Sequence, residues 1–443
     1  MKTDNKALFK MSWPIFVELL LQLLVGNMDQ VQLSHFNNTA VAAVGNVNTI
    51  MNVVLLLFNV TTLAAMILIS QYRGANDTNS VNQLYSLSVL ANLVLSIGLA
   101  AALFFGANGL LGIMQVPAEL LGEARSYLRI TALVLPFQAM MLTFSSFMRA
   151  NARMKDIMVI TAVINAFNIA GNWALINGVG FLPRMGAGGA ALSSGICRAG
   201  GMVLMLVAFL RTCPGAHISL QYLRPWPKNL FRRLLALGLP SAGESLSYNL
   251  SQASCLVFVN LMGTYVVTTR MYANIFAYCI YMLIVSVSQA MQIMVGHLIG
   301  AGKLQEAGSC AWRVFRLFTP ITVGIAALVA VFAKPLFSFF SNDPRVIALG
   351  QTIAVIEIVL EVGRCSNICL IRALQAAGDV KFPVFVGIVS QWVLGVGLCY
   401  VLGVIMGWGL AGIWIAFACD ECLRGLIFVI RWRQGKWKRF KTV

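Results

Sequence analysis

The chain runs twice, in register, through one pattern of apolar segments, and this internal repeat constrains its fold more than any other feature. Trp13-Pro14 is followed by Glu18, and the same pattern recurs as Leu239-Pro240 followed by Glu244, at an offset of 226 residues (240 − 14 = 226). Two later matches extend the repeat: Gln71–Asn76 with His297–Gly302 at the same offset, and Arg149–Asp156 with Arg372–Asp379 at an offset of 223 (372 − 149 = 223). A repeat of this length indicates two similar lobes.

The composition places both lobes in a membrane. The chain has 443 residues, of which 59% are hydrophobic and 11% are charged, whereas a soluble domain carries about 25% charged residues. Apolar stretches of roughly 20 residues, long enough to cross a bilayer as helices, centre near Leu23, Leu56, Val94, Leu135, Val163, Val203, Val257, Ile284, Ala326, Val355, Ile388 and Ile415. A transmembrane barrel has short alternating segments instead. We therefore predict an all-α polytopic membrane protein with twelve transmembrane helices.

The proline positions and the central polar segment predict the domain limits. Pro14 and Pro240 are expected to open helices 1 and 7, because a missing N–H costs nothing in a first turn. Residues 211–230 interrupt the hydropathy and are predicted to form a cytoplasmic linker between lobes at 1–210 and 231–430, with a basic tail at 431–443. Since six is even, the two six-helix lobes are predicted to share one orientation, as a parallel repeat about an axis along the membrane normal.

The net charge of +17 is concentrated in alternate connections. The basic clusters precede helix 1, separate helices 4 and 5 (with Arg149), fill the linker, follow helix 8 (Lys303, Arg313 and Arg316) and form the tail. The alternate connections are poorer in basic residues and hold only isolated ones such as Arg270. The positive-inside rule then predicts a multi-pass protein of the cell's inner (plasma) membrane with both termini in the cytoplasm. The basic charge is assigned to topology and to contact with anionic lipid, so we expect the lipid bilayer as a partner and no nucleic acid.

Enzyme motifs and cofactor sites are not apparent in the sequence. It contains no HExxH and no GxSxG, which argues against an enzyme. The one CxxC, Cys419–Cys422, falls inside predicted helix 12 without a second pair nearby, and three histidines are too few for a His-rich site. We expect no cofactor, no disulfide and no catalytic residues.

Asp29 is the main candidate functional residue of the first lobe. A charge within the hydrocarbon costs about 2.5–3.5 kcal/mol by the lowest scales, so such a carboxylate is expected to face a protein interior or a water-filled cavity. Predicted helix 5 places Asn168 and Asn172 on one face, and helix 6 adds Ser193 and Ser194. Together these oxygens suit Na⁺ or a carboxylate that exchanges H⁺. The alternatives are interhelical hydrogen bonding by the amides and an ion pair of Asp29 with Arg198.

The second lobe is richer in charge. Helix 10 places Glu357, Glu361 and Arg364 on one face, helix 12 carries Asp420, Glu421 and Arg424, and helix 7 adds Glu244 and Tyr248. These residues are predicted to line a cavity of the carboxyl-terminal lobe. Five carboxylates against two arginines require protonation, a bound cation, hydration or a cationic substrate, although the Glu361–Arg364 and Asp420–Arg424 pairs could equally be structural. The residues that occupy the helix 7 positions equivalent to Glu18, Gln22 and Asp29 are Glu244, Tyr248 and Cys255, so Asp29 has no acidic counterpart.

Four sequence runs, in their order and spacing, resemble the multidrug and toxic compound extrusion (MATE) family, in its prokaryotic form, over the whole chain. These runs are Gly26-Asn-Met-Asp29, Ser70-Gln71-Tyr-Arg-Gly74, Asn168 to Asn172-Trp173, and the loop from Arg372 to Gly378-Asp379. The resemblance implies a V-shaped pair of bundles that alternates between outward and inward openings. It also implies that Asp29, Asn168 and Asn172, with Ser193 or Ser194, form a cation site for Na⁺ or H⁺.

The sequence departs from the family pattern in the second lobe. The sodium-coupled branch has acids where this chain has Tyr248 and Arg364, so a carboxyl-lobe sodium site of that type is not implied. The activity that the resemblance implies is export of organic, often cationic, drug-like compounds in exchange for H⁺ or Na⁺, by a monomeric antiporter whose partner is a small organic substrate. The alternative is a flippase for lipid-linked precursors of a related superfamily, which needs a strongly cationic cavity.

Overall fold

The computed structural model describes residues 4–34, 37–178 and 184–440, and the regular structure within these ranges is entirely helical. The helices are α1 (Asn5–Ser34), α2 (Asn38–Gly74), α3 (Thr78–Ile113), α4 (Ala118–Ala150), α5 (Met154–Asn177), α6 (Gly186–Thr212), α7 (Lys228–Asn260), α8 (Thr264–Gly300), α9 (Leu304–Val331), α10 (Ala333–Phe340), α11 (Pro344–Ala376), α12 (Lys381–Ser390) and α13 (Gly409–Arg433). A π-helix continues α12 over Gln391–Leu398 and Tyr400–Ile405. Short 3₁₀ helices span Leu220–Leu223 and Lys436–Arg439.

Each of the twelve predicted centres lies in a separate long helix, and only the short α10 contains none. Ten helices in the described ranges are long and apolar enough to cross a membrane. The exceptions, α7 and α13, have the required length but are more polar, since α7 is rich in serine and α13 carries Asp420, Glu421 and Arg424. The predicted all-α membrane architecture is thus confirmed.

The backbone preserves the repeat more strictly than the sequence does. Helices α2 and α8 begin and end 226 residues apart (264 − 38 and 300 − 74). In the loop after α4, the left-handed residue is Ala152, and the N–H of Ala152 donates to the carbonyl of Arg149. In the loop after α11, Gly378 is left-handed and its N–H donates to Gln375, again at 226 (378 − 152). The predicted pairing of Arg149 with Arg372 at 223 is therefore wrong.

The three-residue loss lies later in the repeat than the sequence match indicated. Helix α6 begins at Gly186 and α13 begins at Gly409, which gives 223 (409 − 186). The loss therefore falls in the connection before these last helices. The Arg-Ala dipeptide that suggested an earlier loss lies inside α11 in the second half and at the end of α4 in the first.

Prolines 14 and 240 lie inside helices rather than at their starts. Helix α1 already begins at Asn5 and α7 at Lys228, so the prediction that these prolines open their helices is wrong. Transmembrane helices tolerate an internal proline because neighbouring groups satisfy the freed backbone carbonyl. The chain divides just before both prolines into two compact units, one of Trp13–Gly238 and another of Leu239–Val443 with Met1–Ser12. We call these the amino unit and the carboxyl unit.

An aromatic and amide core holds the amino unit together. Tyr85 of α3 lies with its ring centroid 4.7 Å from Phe147 of α4 and 5.0 Å from Phe209 of α6, and all three side chains are fully buried. Asn151 donates to the Tyr85 hydroxyl at 2.8 Å. Aromatic pairs at such distances add about 0.5–1.5 kcal/mol to the free energy of burial. These contacts fix α4 between α3 and α6.

Two glycines bring α11 and α13 of the carboxyl unit together backbone to backbone. A Cβ on Gly363 would lie 2.5 Å from the backbone nitrogen of Cys422, and a Cβ on Gly425 would lie 2.8 Å from Ser366 Cβ. Small residues permit such close approach between membrane helices, where van der Waals packing drives association. This approach places the charged face of α11 next to that of α13.

We expect Gly363→Ala to destabilise the protein even though alanine favours helices. The added methyl must push α13 away, and overpacking of this kind costs about 1–3 kcal/mol, which exceeds the gain of ~1 kcal/mol from helix propensity. The measurement is the thermal transition of the purified protein in detergent. Gly324→Ala in α9 is the matched control, because no atom lies within 4 Å of the new Cβ, and its transition should be unchanged or higher. A Gly363→Ala variant as stable as Gly324→Ala would contradict the close packing.

Candidate ion and substrate sites

Asp29 of α1 meets α5 within the amino unit. The side-chain amide of Asn172 donates from Nδ2 to Asp29 Oδ1 at 2.6 Å. One turn further along α1, Gln32 donates to the carbonyl oxygen of Ile169 at 3.2 Å. These two hydrogen bonds hold α1 against α5 and fix the direction of the carboxylate.

The other predicted ligands of this site surround Asn172. The side-chain oxygen of Asn168 accepts from the Asn172 amide at 3.5 Å, and the side-chain nitrogen of Asn168 donates to the Ser194 hydroxyl at 3.1 Å. The Ser193 hydroxyl donates to the backbone carbonyl of Asn168 at 3.4 Å. Gly171 makes this contact between α5 and α6 possible, because a Cβ there would lie 2.5 Å from Ser193 Oγ. The structure thus brings all five predicted residues of the amino-lobe site into one network.

The network is not closed by an ion pair. Arg198 of α6 acts electrostatically on Asp29, yet among the described residues no basic nitrogen lies within 4.0 Å of its carboxylate. The Oδ1 atom of Asn172 is buried without a hydrogen-bond partner in the described part of the chain. A carboxylate oxygen and an open amide oxygen, both hard ligands, are therefore close together, which is the donor chemistry that Na⁺ takes.

Glu18, the other acid of α1, is neutralised directly. The Arg149 guanidinium donates to Glu18 Oε1 at 2.6 Å, and Gln22 donates to the same oxygen at 3.3 Å. Arg149 was predicted to lie in a cytoplasmic connection, and it occupies the last turn of α4. Sequence reasoning missed this pair because 131 residues separate its members. Glu18 is therefore a structural carboxylate of the amino unit.

The carboxyl unit holds two clusters in which one arginine serves two acids. In the first, Arg364 Nη1 donates to Glu357 at 2.8 Å and also to Glu361. The indole of Trp414 donates to the second oxygen of Glu357 at 2.7 Å. Glu361 is fully buried, and its Oε2 has no hydrogen-bond partner among the described residues. The cluster thus has more acid than base in a buried setting.

The second cluster lies on α13. Arg424 Nη2 donates to Asp420 at 2.5 Å and to Glu421 at 3.0 Å. Ser390 donates to the other oxygen of Asp420, and Asn367 donates to Glu421 at 2.6 Å. The helix 10 and helix 12 pairs that the spacing suggested both form, and each arginine also takes a second acid.

Glu244 and Tyr248 of α7 are less firmly held. Gln391, the first residue of the π-helix, donates to Glu244 at 3.3 Å, and the absence of a side chain at Gly387 leaves room for the carboxylate. Glu244 also feels the charges of Arg424 and Arg372. The Tyr248 side chain is 41% exposed and lies within electrostatic range of both clusters. The predicted residues of the carboxyl-lobe cavity therefore lie near one another. Glu244 and Tyr248 lie at the edge of the group that the two clusters form.

Two arginines change the charge balance inferred from the sequence. Arg270, predicted in a connection, lies within α8 and is 8% exposed, and Arg372, predicted in the loop after helix 10, lies within α11. The balance of five carboxylates to two arginines is therefore wrong, because Arg372 acts on Glu244 as a third arginine near these acids, while Arg270 is a further buried base of the carboxyl unit. Both arginines were misplaced because the predicted helices were limited to stretches of apolar residues, which end at a charged residue. The real helices α8 and α11 continue past these stretches and include the arginines.

Comparison with known proteins supports the same architecture over the whole chain. The MatE family model matches residues 14–174 and 240–401. The uncharacterized transporter YisQ of Bacillus subtilis (strain 168) is 35% identical over 431 residues, covering 97% of this chain and 94% of the relative. The probable multidrug resistance protein NorM of Thermotoga maritima is 25% identical, covering 98% and 93%.

A solved structure gives the fold independently. The outward-facing form of a multidrug resistance MATE family transporter of the MOP superfamily superposes with a TM-score of 0.86 at 17% identity, covering 99% of this chain and 97% of that one. At this identity the likeness concerns the fold alone. The family model, which matches both halves of the repeat, and the relative at 35% identity together show that this chain belongs to the MATE family of multidrug efflux transporters.

Proposed function

We propose that this protein is a secondary antiporter that exports organic, often cationic, compounds in exchange for H⁺ or Na⁺ by alternating access, with Asp29 as the coupling carboxylate. The observation that carries the proposal is the contact of Asp29 with Asn172 at 2.6 Å, in a network without an ion pair among the described residues. A carboxylate held only by amides can release one cation and take another, whereas a salt-bridged carboxylate such as Glu18 is already neutralised.

Na⁺ and H⁺ are both compatible with this donor set. For Na⁺, the carboxylate of Asp29 and the open Oδ1 of Asn172 supply hard oxygens, and Asn168, Ser193 and Ser194 lie next to them. For H⁺, the same carboxylate carries the proton and the Asn172 amide fixes its orientation. Both versions use the same residues, so the coupling ion is decided by transport under separate gradients.

The carboxyl unit is proposed to supply the surface that meets the substrate. Its two clusters each hold two acids on one arginine, and Glu244 adds a further acid held by Gln391. A lipid-linked pyrophosphate requires a strongly cationic cavity, and five acids with Arg364, Arg372 and Arg424 do not provide one. The charge balance therefore supports a cationic organic substrate over the flippase alternative.

The proposed setting is a monomer in the inner (plasma) membrane with both termini in the cytoplasm. The basic residues of the tail, Arg433, Lys436, Lys438 and Arg439 among them, support this orientation through attraction to anionic lipid. Trp437 stacks on Trp432 with ring centroids 4.2 Å apart, which joins the tail to α13.

We expect Asp29→Asn to abolish gradient-driven transport while the protein still folds and inserts. The substitution keeps the size of the side chain but removes the charge that a coupling ion neutralises. The measurement is efflux of a fluorescent organic cation from proteoliposomes under separately imposed Na⁺ and H⁺ gradients.

The matched control is Glu306→Gln, which removes a carboxylate whose side chain is 53% exposed and paired with Lys303. Exposed pairs contribute about 0–1 kcal/mol, so this variant should transport at the wild-type rate. Full gradient-driven activity of Asp29→Asn would remove the coupling role of the carboxylate.

We expect Asn172→Ala to weaken ion coupling without abolishing it. A hydrogen bond to a charged group contributes about 1.5–3 kcal/mol, so the apparent affinity for the driving ion should fall by roughly tenfold or more. If Na⁺ drives transport, the Na⁺ concentration for half-maximal rate rises and the maximal rate is kept. If H⁺ drives it, the pH dependence of the rate shifts instead.

Asn177→Ala in the last turn of α5 is the control for this experiment. The Asn177 side chain is exposed, and within the described part of the chain its hydrogen bond is to the carbonyl of Trp173 in its own helix, so its loss should leave the ion dependence unchanged. If the Asn172→Ala variant shows the ion dependence of wild type, the Asn172 amide has a packing role and does not take part in ion coupling.

A further inference from the structure

Arg270 is a buried cation near the start of α8 that the proposed transport mechanism does not use. The side chain is 8% exposed, and its Nη1 has no hydrogen-bond partner among the described residues. It lies in the carboxyl unit beside the buried apolar cluster that includes Val266 and Ala273. An arginine in this setting requires a compensating negative charge, since the cost of burying an unpaired ion is several kcal/mol.

The groups that act on Arg270 do not supply that charge. They are Cys255, Cys399 and Tyr248, and no carboxylate of the described residues is among them. Both thiols donate to backbone carbonyls, Cys255 to Gly395 at 3.3 Å and Cys399 to Ile413 at 3.7 Å. Among the described residues Arg270 therefore forms no ion pair within 4.0 Å, and the groups that act on it are thiols and a phenol rather than carboxylates.

Asp420 is an acid that acts electrostatically on both thiols, and its hydrogen bonds lead away from Arg270. Its oxygens accept from Arg424 at 2.5 Å and from Ser390, and Arg424 also donates to Glu421 at 3.0 Å. Although this cluster holds one more acid than base, its ion pairs within 4.0 Å among the described residues are with Arg424.

The repeat makes the reversal of charge explicit. At the offset of 226, Arg270 corresponds to Val44, a buried residue of the apolar cluster around Leu33 and Ala40 in the amino unit. Cys255 corresponds to Asp29 (255 − 29 = 226). At these two pairs of positions the amino unit holds an acid and an apolar residue, whereas the carboxyl unit holds a thiol and a base.

We propose that Arg270 is the centre of a binding site for a small monovalent inorganic anion such as chloride. The guanidinium binds such an anion through its N–H donors. The site is separate from the cation site at Asp29 and stands whether or not the proposed coupling at Asp29 is correct.

The cavity next to this site is too small for an organic body. Ala273 and Ala277 follow Arg270 at i+3 and i+7 on the same face of α8, and both line a cavity of about 20 Å³. Its lining also includes Phe337, Ile353 and the acid Glu357. A cavity of this volume holds about one water-sized species, so we place a small anion at the guanidinium itself.

The test is anion-dependent stability of the whole chain, purified in detergent with gluconate as the only other anion and at constant ionic strength. Gluconate is too large for the space beside Arg270 and serves as the non-binding background. We expect chloride or bromide to raise the thermal transition saturably by about 2–4 °C, because a ligand of the folded state stabilises it.

Arg270→Gln should lose this rise, whereas Arg345→Gln should keep it. Arg345 is an exposed arginine that pairs with Asp343 at 2.8 Å, with 70% of its side chain exposed. Wild-type protein crystallised with bromide gives an independent readout, namely an anomalous peak at the Arg270 guanidinium, and this does not require the variant to fold. The proposal is overturned if wild type gives no anion-specific rise, if Arg270→Gln keeps the full rise, or if bromide binds only elsewhere.

Discussion

The cost of placing charge among apolar helices is the constraint on which this structure depends. Several buried acids of the described helices satisfy this constraint by pairing: Glu18 with Arg149, and two acids with each of Arg364 and Arg424. Replacement of one member of such a buried set leaves an uncompensated charge and costs about 3–5 kcal/mol. Asp29 and Arg270 are held differently, one by an amide and one beside thiols. Our two proposals place mobile ions at these two residues.

The sequence predicted what depends on hydropathy and on local spacing. Twelve helix centres followed from apolar windows, and the i, i+3 and i+4 spacing on α11 and α13 was sufficient to predict the pairs at Arg364 and Arg424. The sequence also assigned Asp29 and Asn172 to one site. They are 143 residues apart in the chain, so the hydrogen bond between them could be seen only in the folded structure. The partner of Glu18 and the helical positions of Arg270 and Arg372 were missed, because a hydropathy window ends at a charge although the helix continues.

Close helix packing explains how the carboxyl unit accommodates so many charges. Gly363 and Gly425 let α11 and α13 approach until their backbones touch, and Asn367 of α11 can then donate to Glu421 of α13 at 2.6 Å. The π-helix after α12 begins at Gln391, the residue that holds Glu244. Helical turns with i→i+5 hydrogen bonds are rare in proteins, and those that occur are often found at functional sites. The polar groups of this unit are thus supported by backbone features as well as by side chains.

The shared spacing of the loops has an evolutionary meaning. Left-handed residues at Asn76 and Gly302, and again at Ala152 and Gly378, are separated by the same interval, as expected of two copies descended from one ancestral half. Up to the loss of three residues before the last helices, the halves share their backbone spacing while single side chains differ, Asp29 against Cys255 and Val44 against Arg270. Each half is therefore an inherited reference for the other. An ancestral scaffold of this kind could acquire opposite ion preferences in its two copies through point substitutions, without any change in the course of its chain.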